Sequence, residues 1–144
     1  MIIRDILTVK NGVVFHIEPD AALADATRQM VENDVGSLVV QHNHSMVGLL
    51  TERDLLRAVN DHGPAYAGKA VQEYMTTEPI IGNPEDTVDY VRGVMTQFRI
   101  SHLPVLEGEQ LVGIISFHDV AKACLAEAKF ENHLLKRYIR HWPE

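Results

Sequence analysis

The chain has 144 residues, 46% of them hydrophobic, and a formal net charge of −7, which suits one compact globular domain. The acidic balance argues against a nucleic-acid binder, although a local pocket can still bind a small anion. A single cysteine, Cys124, excludes an intrachain disulfide, and no apolar run approaches the roughly 18 residues that span a bilayer. Because the opening residues show no signal peptide, we expect a cytoplasmic protein without membrane attachment.

The same pattern of residues occurs twice along the chain. Residues 14–59 align without a gap on residues 79–124, at a constant offset of 65. The identical pairs at this offset include Pro19/Pro84, Met30/Met95, Leu38/Leu103, Val40/Val105, Gly48/Gly113 and Asp54/Asp119. A unit of about 46 residues seldom buries enough apolar surface alone, so we expect the two copies to fold against each other.

Each copy predicts the order β-α-β-β-α. In the first copy these elements are a strand at 13–17, a helix at 22–33, a hairpin of strands at 37–41 and 46–50, and a helix that begins at 51–54. In the second copy they are a strand at 79–82, a helix over 88–98, strands at 103–106 and 111–115, and a closing helix from 116. The fold class is therefore α/β (α+β), built from two β-α-β-β-α repeats.

The connector between the copies, residues 60–77, predicts a loop and a short helix near 70–75. The closing helix of the second copy continues into a tail without a counterpart, whose apolar side chains recur at helical spacing: Leu125, Ala128, Leu135, Tyr138, Ile139 and Trp142. The tail either packs on its own domain or forms a dimer contact. We divide the chain into a first repeat at 1–65, a second repeat at 66–128 and a helical tail at 129–144.

Both copies place one motif at a strand-to-helix turn: glycine, two aliphatic residues, a hydroxyl residue, two variable residues and an aspartate, at 48–54 and 113–119. A helix N-terminus offers free N–H groups and a partial positive charge to phosphate. The hydroxyl of Thr51 or Ser116 can donate to a phosphate oxygen, and the carboxylate of Asp54 or Asp119 can accept from ribose hydroxyls.

The alternative is that these residues only cap helices. Thr51 and Ser116 would then be N-caps, and Asp54 and Asp119 would favour the helix dipole. The repetition favours a shared binding role, but it does not separate a shared need in folding from shared binding.

The repeat resembles the cystathionine-β-synthase (CBS) domain, and the pair resembles a Bateman module of the stand-alone bacterial type. The resemblance covers about residues 1–130 and rests on the two turns and on Ser101-His102-Leu103-Pro104-Val105. It implies two repeats packed about a pseudo-twofold axis, with two clefts that take AMP, ADP, ATP, NAD or S-adenosylmethionine. It also implies a homodimer of two such modules.

The resemblance implies roles for particular residues. Asp54 and Asp119 would bind ribose, and Thr51 and Ser116 would lie beside ribose or phosphate. The adenine would be bordered by Val14, Phe15, Ile80 and Ile81. His102 would contact phosphate, Ser37 holds the equivalent position in the first copy, and Arg53 and His118 are further sources of charge. Since basic residues are fewer than is usual for the family, the second cleft, with His102 and His118, is expected to bind phosphate better.

We therefore expect a regulatory sensor of adenine nucleotide that acts on a separate protein and is not an enzyme. No arrangement of nucleophile, base or paired carboxylates stands out, and the eight histidines show no metal-ligand spacing, so neither a metal nor a required cofactor is expected. The alternative is a structural or protein-interaction module whose clefts bind no ligand.

Overall fold

The computed structural model describes residues 1–10 and 13–140, with side chains through residue 137. In chain order the elements are α1 (Ile3–Lys10), β1 (His16–Ile17), α2 (Leu23–Asn33), β2 (Ser37–His42), β3 (Ser45–Thr51), α3 (Glu52–His62), α4 (Val88–Phe98), β4 (His102–Glu107), β5 (Gln110–Ser116) and α5 (Phe117–Arg140). Two short 3₁₀ helices, Gly63–Gly68 and Val71–Glu73, lie in the connector, where the sequence predicted one short helix near 70–75.

The two repeats have matching hairpins. Strands β2 and β3 pair antiparallel with Val40 opposite Gly48, and β4 and β5 pair with Val105 opposite Gly113, at the same offset of 65 residues. Each hairpin shifts register immediately after its valine. The predicted α/β fold of two equivalent repeats is confirmed.

The strand predicted at 79–82 is not formed, and the reason lies in one proline. In the first repeat, β1 pairs parallel to β2, and the Val39 N–H donates to the Phe15 carbonyl at 3.0 Å. The residue equivalent to Val39 is Pro104, which has no N–H to donate. The second repeat therefore keeps only a single parallel bridge, from Gly82 to Val105.

The segment that precedes each repeat packs on the other repeat. Helix α1, which the sequence did not predict, places Ile3 and Ile6 in the core of the second repeat. The connector places Val71 in the core of the first repeat. The backbone bridges correspond, since Ile2 pairs with Thr87 and Ala70 pairs with Ala22, which is the equivalent of Thr87. This exchange joins the two cores.

Helix α5 continues well beyond the core of the second repeat. Its apolar side chains Leu125, Phe130, Leu134 and Leu135 are exposed. The side chains of Tyr138 and Ile139, and all of Trp142, lie outside the described residues, and the boundaries at 65/66 and 128/129 stay predictions. Among the described residues, no helix is both long and apolar enough to cross a membrane.

Candidate functional site

The turn between β5 and α5 holds its aspartate by reciprocal hydrogen bonds. The Asp119 backbone N–H donates to Ser116 Oγ at 3.0 Å, and the Ser116 N–H donates to Asp119 Oδ2 at 2.9 Å. These bonds satisfy two of the N–H groups that a helix N-terminus leaves free. The predicted capping geometry is therefore present, and it also fixes the carboxylate beside the N-terminus of α5.

A lysine from the other end of the chain reaches the same carboxylate. Lys10 Nζ lies 2.6 Å from Asp119 Oδ2 and 2.8 Å from the carbonyl oxygen of Ile114. Burial raises the pKa of the Asp119 carboxyl, but the Lys10 ammonium and the hydrogen bonds from Ser116 together outweigh it. The pKa of Asp119 therefore lies below its ordinary value, and the group is ionised at neutral pH.

A cavity of about 330 Å³ opens beside this ion pair, between the two repeats. Seven of the predicted site residues line it: Val14, Phe15, Ser37, His102, Ser116, His118 and Asp119. The first repeat contributes the segment before β1 and the start of β2, and the second contributes the start of β4 and the β5–α5 turn. The site residues thus come from both repeats.

His102 stands at the start of β4, opposite Ser116 in the hairpin register. Its Nδ1 is buried and has no hydrogen-bond partner within the described part of the chain. Burial lowers the pKa of this imidazole below its ordinary value, against the opposing effect of Glu52, so the ring is neutral at pH 7. Gly36 makes room for the ring, because a Cβ at position 36 would lie 3.0 Å from His102 Cε1 and Nε2.

The equivalent turn of the first repeat, between β3 and α3, leaves its aspartate less accessible than Asp119. The Thr51 N–H donates to Asp54 Oδ2 at 2.8 Å, and Arg57 forms an ion pair with Oδ1 of the same carboxylate. Asp54 is only 3% exposed. This carboxylate is therefore satisfied on both oxygens by groups of its own helix and turn.

The remaining predicted site residues do not line the cavity around Asp119: they are Thr51, Arg53, Asp54, Ile80 and Ile81. Arg53 lines a different cavity, of about 510 Å³, together with Arg99 and Phe117. Ile80 and Ile81 are 37% and 52% exposed. The structure thus brings seven of the predicted residues together around one cavity, and the other five lie elsewhere.

Sequence reasoning did not name six of the residues that line the cavity as site residues: Lys10, Val13, Asp34, Val35, Gly36 and Ile114. Lys10 and Asp34 lie outside the turn motifs, and Lys10 also lies outside the aligned repeat, so its position depends on how α1 packs. Asp34 ends α2 in a left-handed conformation with φ of 52°, as does the equivalent Arg99 with φ of 53°. The left-handed ending of the two helices is visible only in the structure, so the sequence signal for Asp34 was limited to its place at the end of the predicted helix.

Two equivalent repeats, which share the order helix, hairpin, helix and enclose a cavity between them, define a tandem-repeat α/β module. A model of the CBS domain matches residues 3–61 and 71–126, so the chain belongs to the CBS domain family and contains two copies of the domain.

Relatives of known structure have the same architecture. The CBS-domain containing protein ATU1752 from Agrobacterium tumefaciens is 33% identical, with a TM-score of 0.83 over 85% of this chain and 98% of that one. The CBS domain pair of protein MJ0100, which was crystallised with 5′-methylthioadenosine and S-adenosyl-L-methionine, is 22% identical, with a TM-score of 0.77 over 88% of this chain and 98% of that one.

A mitochondrial relative is longer than this chain. The CBS domain-containing protein CBSX3 of Arabidopsis thaliana is 33% identical over 126 residues, which are 84% of this chain and 61% of the relative. The chain therefore spans less than two thirds of that protein.

Proposed function

We propose that the protein is a regulatory module that binds an adenine nucleotide in the cavity around Asp119 and acts on a separate protein. The observation that carries the proposal is the convergence of seven predicted site residues from both repeats on one cavity of about 330 Å³. A ligand that contacts both repeats stabilises their relative arrangement. Such a ligand regulates a partner when its affinity differs between two arrangements of the module.

The cavity offers a suitable group for each part of a nucleotide. Val14 and Phe15 supply an apolar border for adenine. Asp119, ionised and only half-buried, accepts hydrogen bonds from ribose hydroxyls. Ser116 and the N-terminus of α5 face phosphate, and the unpartnered Nδ1 of His102 is a further hydrogen-bonding group.

The charge balance limits the phosphates that the cavity can take. The formally charged side chains among its described lining residues are Lys10, Asp34 and Asp119. One ammonium against two carboxylates suits a nucleoside or a monophosphate better than a triphosphate. We therefore favour AMP over ADP, ATP or NAD. S-adenosylmethionine, which has no phosphate, is the alternative, since the MJ0100 pair holds a ligand of that class.

We propose that the first turn is structural. Both carboxylate oxygens of Asp54 already have partners within its own turn and helix, and the residue is 3% exposed, so a ribose diol has little access to it. The same reasoning supports the second candidate function, a protein-interaction module without a ligand, because helix capping alone accounts for the contacts of both turns.

Exposed apolar side chains on three helices, Leu56, Phe98 and Phe117, together with the α5 tail, support pairing into a homodimer.

The test is thermal unfolding and calorimetric titration with AMP, ADP, ATP, NAD, S-adenosylmethionine and 5′-methylthioadenosine. The wild type is compared with Asp119→Asn and with the matched variant Asp54→Asn. Asparagine keeps an acceptor for the capping N–H, so each variant loses charge with little loss of the turn. A ligand at a hundred times its dissociation constant stabilises the fold by about 2.7 kcal/mol.

We expect stabilisation by at least one of these ligands, abolished by Asp119→Asn and retained by Asp54→Asn. Chromatography of the ligand after incubation should return it unchanged, which separates a sensor from a hydrolase. If no ligand stabilises the wild type, the interaction module becomes the better description. If the two variants behave alike, the ligand does not occupy the cavity around Asp119.

A further inference from the structure

Lys10 pairs with the carboxylate that, in the proposed function, binds the ribose. Asp119 Oδ2 accepts from both the Ser116 N–H, at 2.9 Å, and the Lys10 ammonium, at 2.6 Å. A carboxylate oxygen has two lone pairs, so these two donors use the acceptor capacity of Oδ2. A ribose diol that binds both carboxylate oxygens must therefore displace Lys10.

The displaced ammonium remains at the cavity. Lys10 is the last residue of α1, and this helix is anchored on the core of the second repeat by Ile3 and Ile6. The anchor fixes the Lys10 backbone, while its four-carbon side chain, 36% exposed, keeps the freedom to rotate. Its reach is therefore confined to the neighbourhood of Asp119 and the cavity mouth.

Lys10 is the one permanent cation among the described residues that line the cavity. Among the described residues that line the cavity, the formal charges besides Lys10 are those of Asp34 and Asp119, both negative. The buried imidazole of His102 is neutral at pH 7. A phosphate in this cavity therefore depends on Lys10 to offset two carboxylates.

We propose that Lys10 makes the cavity selective for phosphorylated nucleosides, by exchanging its partner from Asp119 to the ligand's phosphate when the ribose binds. The inference rests on the proposed function and adds its specificity. With AMP, the displaced ammonium gains a phosphate partner. With adenosine, which has the same base and ribose, it gains none, so displacement of Lys10 opposes binding.

The test is calorimetric titration of AMP and adenosine into four proteins: wild type, Lys10→Met, Lys10→Gln and Lys136→Met. Methionine keeps much of the length of the side chain and removes the charge, and glutamine also keeps a hydrogen-bond donor. Lys136→Met makes the same change of net charge at an exposed position on α5, outside the cavity lining. Circular dichroism establishes that each variant is folded.

The quantity compared is the ratio of adenosine to AMP dissociation constants. In the wild type we expect AMP to bind about ten- to a hundredfold more tightly, the range typical of a hydrogen bond to a charged group. Both Lys10 variants should bring the ratio close to one, through weaker binding of AMP and equal or tighter binding of adenosine. Lys136→Met should leave the ratio at the wild-type value.

The inference and the proposed function fail in different ways. If the wild type binds both ligands and the Lys10 variants keep its ratio, Lys10 is only a structural ion pair and the inference is overturned alone. An equal fall in the ratio for Lys136→Met would assign the effect to overall charge, and would overturn it as well. If the wild type binds neither AMP nor adenosine, the inference fails. The proposed function fails with it only when the other ligands of its own test, S-adenosylmethionine and 5′-methylthioadenosine among them, also do not bind.

Discussion

Gly48 lies against the backbone of Thr76 so closely that no larger residue fits between them. A Cβ at position 48 would be 2.9 Å from the Thr76 carbonyl oxygen and 2.8 Å from Met75 Sδ. Leu49 and Thr76 exchange two backbone hydrogen bonds of 2.9 Å beside this contact. Since φ of Gly48 is not positive, the glycine of the motif serves close approach, not an unusual backbone angle.

Gly48→Ala should destabilise the fold by about 1–3 kcal/mol, because the carbonyl of Thr76 cannot move without breaking its bridge to Leu49. Gly113→Ala should cost less, since its nearest neighbour is the rotatable tip of Leu7, at 2.5 Å. Urea unfolding measures both. The control is Gly93→Ala in the exposed middle of α4, where nothing lies within 4 Å and alanine should stabilise by about 0.5–1 kcal/mol. Equal costs at 48 and 113 would contradict this account.

Helix α1 is part of the second core, and its two faces should differ in their sensitivity to truncation. Ile3 is fully buried, so Ile3→Ala should cost about 2–5 kcal/mol of unfolding free energy. Val9 on the same helix is 87% exposed, so Val9→Ala should change it by less than about 0.5 kcal/mol. Denaturant unfolding monitored by circular dichroism compares the two. Similar losses would mean that α1 does not pack on the second repeat as described.

The repeated architecture could be predicted from the sequence because the residue patterns that indicate it lie within each copy. Hydrophobic spacing and turn residues within 14–59 and 79–124 predict both hairpins and the helices that flank them. Ser116 and Asp119 were identifiable for the same reason, as they lie within one turn of each other.

Other features depend on contacts between distant parts of the chain, which spacing does not encode. The place of Lys10 follows from α1 crossing to the second repeat. The pairing of Asp54 with Arg57 is local, at a spacing of three residues on α3, but the burial of Asp54 depends on the tertiary packing around it. The absent strand at 79–82 was more accessible, since the missing N–H of Pro104 is written in the sequence. What was lacking was the knowledge that this particular N–H would be needed.

The loss of the Asp54 carboxylate should lower the free energy of unfolding more than the loss of the exposed carboxylate of Asp89. Its carboxylate accepts from the Thr51 N–H and pairs with Arg57, and it is 3% exposed. Asp54→Ala leaves the capping N–H without its partner and should cost about 1–3 kcal/mol. Asp89 also pairs with an arginine one turn on, but its side chain is 83% exposed, so Asp89→Ala should cost less than about 1 kcal/mol. Urea denaturation at neutral pH measures this difference, and equal losses would show that the capping box adds little.

His102 should make the fold sensitive to mild acid. Burial lowers the pKa of its imidazole; Lys10 acts in the same direction, and Glu52 and Asp119 oppose it. The unfolded chain, with a histidine pKa of about 6.5, therefore binds a proton more readily than the folded chain does. The contribution of neutral His102 to stability is then fully present above this pKa. As the pH drops below it, the free energy of unfolding falls by at most about 1.4 kcal/mol per pH unit for one group.

Unfolding free energies at pH 7.5 and 5.5 measure the effect. We expect His102→Gln to lose less stability than the wild type over this interval, because glutamine does not titrate. His44→Gln, which removes a histidine from the exposed turn between β2 and β3, controls for the loss of a histidine as such and should follow the wild type. If His102→Gln and the wild type lose equal stability, protonation of His102 carries no penalty in the folded chain, and the burial of its imidazole does not make the fold sensitive to acid.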